Sequence, residues 1–239
     1  MAGKTEQTKN NIMRAAYEIA AKKGLKAVTV RRIAEKAKTS VGLIYYHFKD
    51  VPQIFEMILQ HHYLQILDYL DEHLPTSDDP LLRFMAASTI NFLFTSSRHV
   101  FRNISRDLPY SGISKDAHHF ILVKHSFESI QKKMNLNADR VMLDIAVFAF
   151  IGSFETIKSA YYRAQISLTP YQLTKIVFLQ TFTPMGLDVK EIESRVPQIE
   201  KICKKTKRKD IAVPWLLSVH DDAPNFNQVT LHELGQHVL

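Results

Sequence analysis

The stretch that most constrains the fold runs from Thr29 to Lys49, where two short helical patterns are joined by a tight turn. Thr29 and Ser40 each precede an apolar-periodic run, which is the position of a helix-capping side chain. Apolar residues then recur at helical spacing, at positions 30, 33, 34 and 37 and again at 41, 44 and 48. Two small helices at this spacing predict a helix-turn-helix, whose second helix enters the major groove of DNA.

The other face of the second helix carries Gly42, Leu43, Tyr46 and His47. Apolar and aromatic side chains beside a glycine make a poor solvated face. We therefore expect this face to dock on another molecule.

Charge is distributed unevenly along the chain. Residues 1–50 hold 11 Lys and Arg against 4 Asp and Glu, so this part accounts for the whole net charge of +7. A basic first domain on a neutral body is the electrostatic pattern of a nucleic-acid binder. The alternative, that the charge serves solubility alone, explains less because it ignores the coincidence with the helix-turn-helix.

Composition excludes several classes. The 239 residues are 46% hydrophobic and contain only 7 glycines, which favours an all-α globular protein. The single cysteine, Cys203, cannot form an internal disulfide and suits a reducing cytoplasm. The sequence lacks an apolar run of the roughly 18 residues that a membrane span needs, and MAGKTEQTKNN at its start lacks a signal-peptide core.

The first 60 residues resemble the TetR family of transcriptional regulators. The resemblance rests on Thr29-x-Arg31-x-Ile33-Ala34 and on the run GLIYYHF at 42–48, followed by Lys49. It implies an all-α, homodimeric protein with a three-helix DNA-binding head at 1–50 and a ligand-binding and dimerisation body at 51–187. Residues 188–239 then form a C-terminal extension of unclear role.

The resemblance also assigns the DNA contacts. It implies a palindromic double-stranded operator, with Arg31 on a guanine edge or a phosphate. Val41 and Leu43 would meet thymine methyls or belong to the core stripe, the latter being the better explanation for Val41. The implied DNA-binding residues are Thr29, Arg31, Ser40, Val41, Gly42, Leu43, Tyr45, Tyr46, His47 and Lys49.

One departure from the family pattern has a structural consequence. Lys38 stands in the turn where the family usually has glycine. We expect it to adopt a left-handed conformation at a cost of roughly 1 kcal/mol.

The body is rich in phenylalanine, which in most proteins is plain core. Helical patterns cover residues 80–97, 98–107, 114–134, 138–165 and 170–184, after a linker helix at 51–73. In the TetR family such a body encloses a small-molecule pocket, and the last two helices form a four-helix dimer interface. Our candidates for ligand binding are Phe92, Phe127, Phe148 and Tyr161.

The C-terminal part is less informative. Residues 188–204 resemble one further helix, and the basic run 201–209 is either a solvated linker or a contact for DNA flanks. HELGQH at 232–237 fails the zinc-protease pattern because its histidines are five residues apart. We predict no metal, no cofactor and no catalytic site.

The favoured function is therefore a ligand-responsive transcription factor, acting as a repressor. The alternatives are a helical enzyme acting on a lipid-like or aromatic substrate, and a non-specific architectural DNA binder.

Overall fold

The computed structural model describes residues 2–73, 78–96, 100–103, 118–163 and 165–211, and every regular element within these ranges is a helix. The predicted helix 98–107 falls largely outside these ranges, and the HELGQH segment falls wholly outside them. The helices are α1 (Ala2–Lys23), α2 (Val30–Ala37), α3 (Val41–His47), α4 (Val51–His73), α5 (Pro80–Ser96), α6 (His118–Met134), α7 (Arg140–Tyr162), α8 (Pro170–Phe182), α9 (Val189–Glu193), α10 (Val196–Lys205) and α11 (Arg208–Ile211).

The head consists of α1, α2 and α3. The predicted stripe of α1 is buried from Ile12 to Ala20, and it packs on α2 and α4. Apolar periodicity in the sequence predicts a first helix over residues 8–23, whereas the helix begins at Ala2. Its first turns lack apolar residues, so periodicity did not reveal them, although Lys, Glu and Gln are good helix formers.

Helix α5 lies at the centre of the body. It packs against α4, α6, α8 and α10, and nearly all its residues from Phe84 to Ser96 are buried. Thr89 and Thr174, on α5 and α8, share a hydrogen bond of 2.8 Å between their hydroxyls in the core. A helix surrounded on all sides cannot keep a polar face, which explains its uniformly apolar and small-residue sequence.

Two ion pairs fix the start of α5. The Arg83 guanidinium donates to both carboxylate oxygens of Asp71 on α4, at 2.6 and 2.7 Å. Asp79 caps α5 through the Leu82 amide at 2.9 Å and also accepts from Arg195 Nε at 2.9 and 3.0 Å. The linker helix α4 and the C-terminal helices are thus joined at one end of α5.

The C-terminal helices pack on the body. Helix α10 contacts α5 and α8, and α11 contacts α4, with Ile199, Cys203 and Ile211 buried. The single helix predicted over 188–204 is instead divided into α9 and α10. Pro197 lies in the first turn of α10, where its missing amide hydrogen is tolerated, but it could not continue a helix from α9. Much of the basic run 201–209 therefore lies on helices and not in a linker.

No helix of the described residues is long and apolar enough to cross a bilayer.

Candidate DNA-binding surface and aromatic body

Each helix of the helix-turn-helix begins with a side-chain cap. The Thr29 hydroxyl accepts from the Arg32 amide at 3.3 Å, and the Ser40 hydroxyl accepts from the Leu43 amide at 3.1 Å. Arg32 occupies the position where a capping box would place Glu or Gln. Its guanidinium instead donates to the Ala27 carbonyl at 3.0 Å and ties α2 to the preceding turn.

The turn between α2 and α3 depends on a left-handed lysine. Lys38 has φ 53° and ψ 47°, as the sequence predicted, and is one of two non-glycine residues with positive φ among those described. The Thr39 amide then donates to the Ala34 carbonyl at 2.9 Å. This closes the end of α2 and aims α3 across it.

Helix α3 exposes the face that the sequence predicted for docking. Ile44 and Phe48 are buried, at 1% and 2% exposure, whereas Tyr45 and Tyr46 are 57% and 79% exposed. Gly42 is also exposed, and His47 is half-buried with its ring 4.9 Å from that of Tyr46.

Val41 and Gly42 add two details to the description of this face. Val41 is 39% exposed, so its assignment to the core stripe was wrong. It is the first residue of α3, and α2 does not cover its side chain. At Gly42, an added methyl group would meet only the Ser40 hydroxyl at 4.0 Å, so the neighbouring protein atoms leave room for a side chain.

The cations near this face divide into two groups. Lys36 pairs with Glu18 of α1 at 2.7 Å, and Arg32 is held by Ala27. By contrast, Arg31 and the Lys49 ammonium are exposed, and neither is joined to another described residue by a hydrogen bond or ion pair. Arg31 and Lys49 are therefore among the cations that remain available to an anionic ligand.

The four aromatic residues predicted for ligand binding do not form one cluster. Phe92 and Tyr161 lie together, with ring centroids 5.1 Å apart. Phe127 belongs to a neighbouring group and lies 4.6 Å from Phe182. Phe148 is only half-buried and packs on Phe120 at 4.7 Å.

Sequence reasoning missed a polar cluster beside Phe92. The Lys158 ammonium lies 2.6 Å from Glu155 Oε1, and the Tyr162 hydroxyl lies 3.3 Å from both Thr95 Oγ1 and Ser96 Oγ. The available signal was the pair Glu155 and Lys158, two opposite charges three residues apart on a helix that is otherwise rich in apolar residues.

Comparison with known proteins agrees with this architecture. Residues 12–57, from α1 to the start of α4, match the family described as bacterial regulatory proteins, tetR family. This part of the chain is therefore similar to the TetR family of transcriptional regulators. The match covers the helix-turn-helix and ends within the first two turns of α4, so most of the body lies outside it.

One curated protein similar to this chain is the HTH-type transcriptional repressor KstR2 of Mycolicibacterium smegmatis. The two are 32% identical over 95 residues, which cover 38% of this chain and 44% of KstR2. The alignment thus spans less than half of that relative.

Solved structures support the fold over a longer range. RolR in complex with its ligand resorcinol is 17% identical, with a TM-score of 0.59 over 82% of this chain and 96% of RolR. RolR without ligand is 15% identical, with a TM-score of 0.57 over 79% and 96% of the two chains. At this identity the likeness establishes the all-helical fold.

Proposed function

We propose that this chain is a TetR-family protein, a cytoplasmic, homodimeric transcriptional regulator that binds a palindromic operator through α3. The observation that carries the proposal is the exposed aromatic face of α3 within a sequence that matches the family's DNA-binding domain. Tyr46 exposes 79% of its surface. Exposing an aromatic ring to water does not stabilise a helix. A duplex surface would cover it.

The division of the cations supports a DNA contact at the same place. Arg31 is the second residue of α2, and Lys49 comes directly after Phe48, the residue that caps the end of α3. An arginine can bond guanine O6 and N7 together, and a lysine here suits a phosphate. Arg32 and Lys36 are engaged within the protein, so we assign them a structural role.

Dimerisation is proposed through α7 and α8. The start of α7 exposes Val141, Met142 and Ile145 at 66%, 40% and 61%, and α8 exposes Ile176 at 42%. Positions 141, 145, 149 and 152 share one face of α7. An uncovered apolar face on these two helices suits packing against a second copy, which also places two recognition helices on successive major grooves about 34 Å apart.

The aromatic body is proposed to bind a small hydrophobic or aromatic effector, as RolR binds resorcinol. Because KstR2 is a repressor, we propose repression that the effector relieves. An effector does this only if it binds the DNA-free state more tightly than the DNA-bound state.

An aromatic chain connects the body with the head. The Tyr17 ring on α1 lies 5.4 Å from Phe101, Phe101 lies 5.9 Å from Phe94, and Phe94 stacks on His62 of α4 at 3.7 Å. All four residues are buried. Movement of α5 would therefore be passed by direct packing to both α1 and the linker helix.

The test measures binding of a fluorescent duplex of random sequence over a range of salt concentrations. Wild-type affinity should fall steeply, since each phosphate contact contributes about 0.9 to the log–log slope. The double variant Arg31→Gln/Lys49→Gln should lower that slope by roughly 2 for each head that contacts the duplex.

The matched control is Lys201→Gln/Lys205→Gln, which removes two exposed cations from α10. It should leave the slope unchanged. If the control lowers the slope and the head variant does not, the chain binds DNA as an architectural protein through its C-terminal run.

A further inference from the structure

A lysine is buried in the body on the inner side of α7. Lys158 is 5% exposed, and its side chain lies on the same face as Phe154, Tyr161 and Tyr162. A charged residue is rarely buried so fully without a specific partner. The group that compensates its charge therefore shows what this site can hold.

Its partner is the Glu155 carboxylate, one turn earlier on the same helix. The two carboxylate oxygens lie 2.5 and 2.6 Å from the ammonium. Burial lowers the pKa of Lys158, but Glu155 and the Tyr162 hydroxyl raise it by more, so the ammonium stays protonated. The Glu155 side chain is 21% exposed against 6% for Lys158. The carboxylate is thus the member of the pair that can turn towards water.

Further polar groups lie within one turn of this pair. The Ser96 hydroxyl donates to the Tyr162 oxygen at 3.3 Å, and Thr95 Oγ1 lies 3.3 Å from the same oxygen. These hydroxyls come from α5 and meet α7 in the core. Together with the ammonium they could bond an oxygen-bearing group of a ligand.

Aromatic rings line the remaining sides. The Phe92 ring is nearly parallel to that of Tyr162, at 6.1 Å and 16°. It meets Tyr161 at 5.1 Å and Phe154 at 6.3 Å, both edge to face. A cation and hydroxyls at one end, with rings around them, suit a molecule that is anionic at one end and flat and apolar at the other.

We propose that Glu155 is an internal counter-ion which the carboxylate of an aromatic-acid effector displaces from Lys158. The effector's carboxylate takes the place of Glu155 on the ammonium, its ring packs against Phe92, and Glu155 turns outwards. This inference rests on the proposed effector-controlled function and names the chemical class of the effector.

The position also explains how the effector acts on the head. Phe92 and Phe94 stand two residues apart on α5, so their rings lie on opposite sides of that helix. Phe92 contacts Tyr162, and Phe94 contacts Phe101 and His62. A ligand that separates Phe92 from Tyr162 must displace α5 or α7. Displacement of α5 moves Phe94, which packs against Phe101 and His62.

The experiment measures ligand binding to the full-length protein by calorimetry. Benzoate and 2-naphthoate are each compared with the corresponding uncharged amide, in wild type, Lys158→Met, Glu155→Gln and the control Lys175→Met. Lys175 forms a similar 2.6 Å pair with Glu193 at the surface. Circular dichroism confirms that each variant is folded.

Wild type should bind at least one of the two acids about tenfold or more tightly than its amide, since a charge-assisted hydrogen bond is lost with the amide. Lys158→Met should remove this preference, and Glu155→Gln should tighten acid binding severalfold because the competing carboxylate is gone. Lys175→Met should match wild type. If Lys158→Met does not fold, the gain with Glu155→Gln decides.

Three results would overturn the inference: no binding of either acid at millimolar concentration, equal binding of acid and amide, or unchanged acid binding in Glu155→Gln. The same samples are assayed for duplex binding by fluorescence anisotropy. DNA binding without acid binding would refute this inference and leave the proposed DNA-binding function intact. Acid binding without DNA binding would refute the proposed DNA-binding function but would leave the proposed effector site at Lys158 standing.

Discussion

Two residues of α3, one turned inwards and one outwards, separate the stability of the head from its contact with DNA. Tyr46 is 79% exposed, and its ring contact is with His47 at 4.9 Å. Tyr46→Ala removes almost no buried surface, so the free energy of unfolding should change by no more than about 0.5 kcal/mol. Ile44 lies two residues earlier and is 1% exposed. Ile44→Ala leaves a cavity and should cost about 2–5 kcal/mol.

For DNA affinity, Tyr46→Ala should have the larger effect and Ile44→Ala the smaller one. Tyr46→Ala, measured where the protein is fully folded, should weaken binding to a preferred duplex by about 1–2 kcal/mol, or 5- to 30-fold. Ile44→Ala should retain near-normal affinity for whatever fraction remains folded. Urea denaturation followed by circular dichroism gives the first quantity, and fluorescence anisotropy gives the second. The reasoning is refuted if Tyr46→Ala binds DNA as wild type does, or if it destabilises the head as much as Ile44→Ala.

Three further predictions concern the rest of the chain. Ile145→Arg places a charge on the 61%-exposed residue of the proposed dimer face and should yield folded monomers by sedimentation velocity; an unchanged dimer would place the interface elsewhere. Lys38→Gly relieves the left-handed conformation at φ 53° and should raise the free energy of unfolding by up to about 1 kcal/mol; a loss of stability would contradict the strain. Burial raises the pKa of the Cys203 thiol to about 12, so this thiol should resist a disulfide reagent at about pH 8 until the protein unfolds; rapid labelling of the native protein would show that α10 is not docked as described.

The helix-turn-helix could be predicted from sequence because its determinants are local. Thr29 and Ser40 cap helices within three residues of themselves. The left-handed conformation of Lys38 was expected because the family usually has glycine at this position of the turn. Val41 was misassigned because it fits the i, i+3, i+7 spacing of the stripe. In such a short helix, orientation against α2 and not periodicity decides which side of the first turn is covered.

The body was less predictable because its polar contacts join distant parts of the chain. Thr95 and Tyr162 lie 67 residues apart in sequence and 3.3 Å apart in the core. Arg195 reaches Asp79 across 116 residues. Periodicity indicates which side of a helix is buried, but it does not indicate which neighbour covers it. For the same reason composition did not show that Phe92 and Phe127 are joined through Phe154 and Phe150, or that Phe148 packs on Phe120 apart from them.

The most direct test of the central claim is selection of duplexes from a random pool by the purified protein, followed by sequencing. A dimeric sequence reader should enrich a palindrome whose half-site centres lie about 10 base pairs apart, or a multiple of that distance. Recovery of bound duplexes without any enriched sequence would contradict sequence-specific reading by α3.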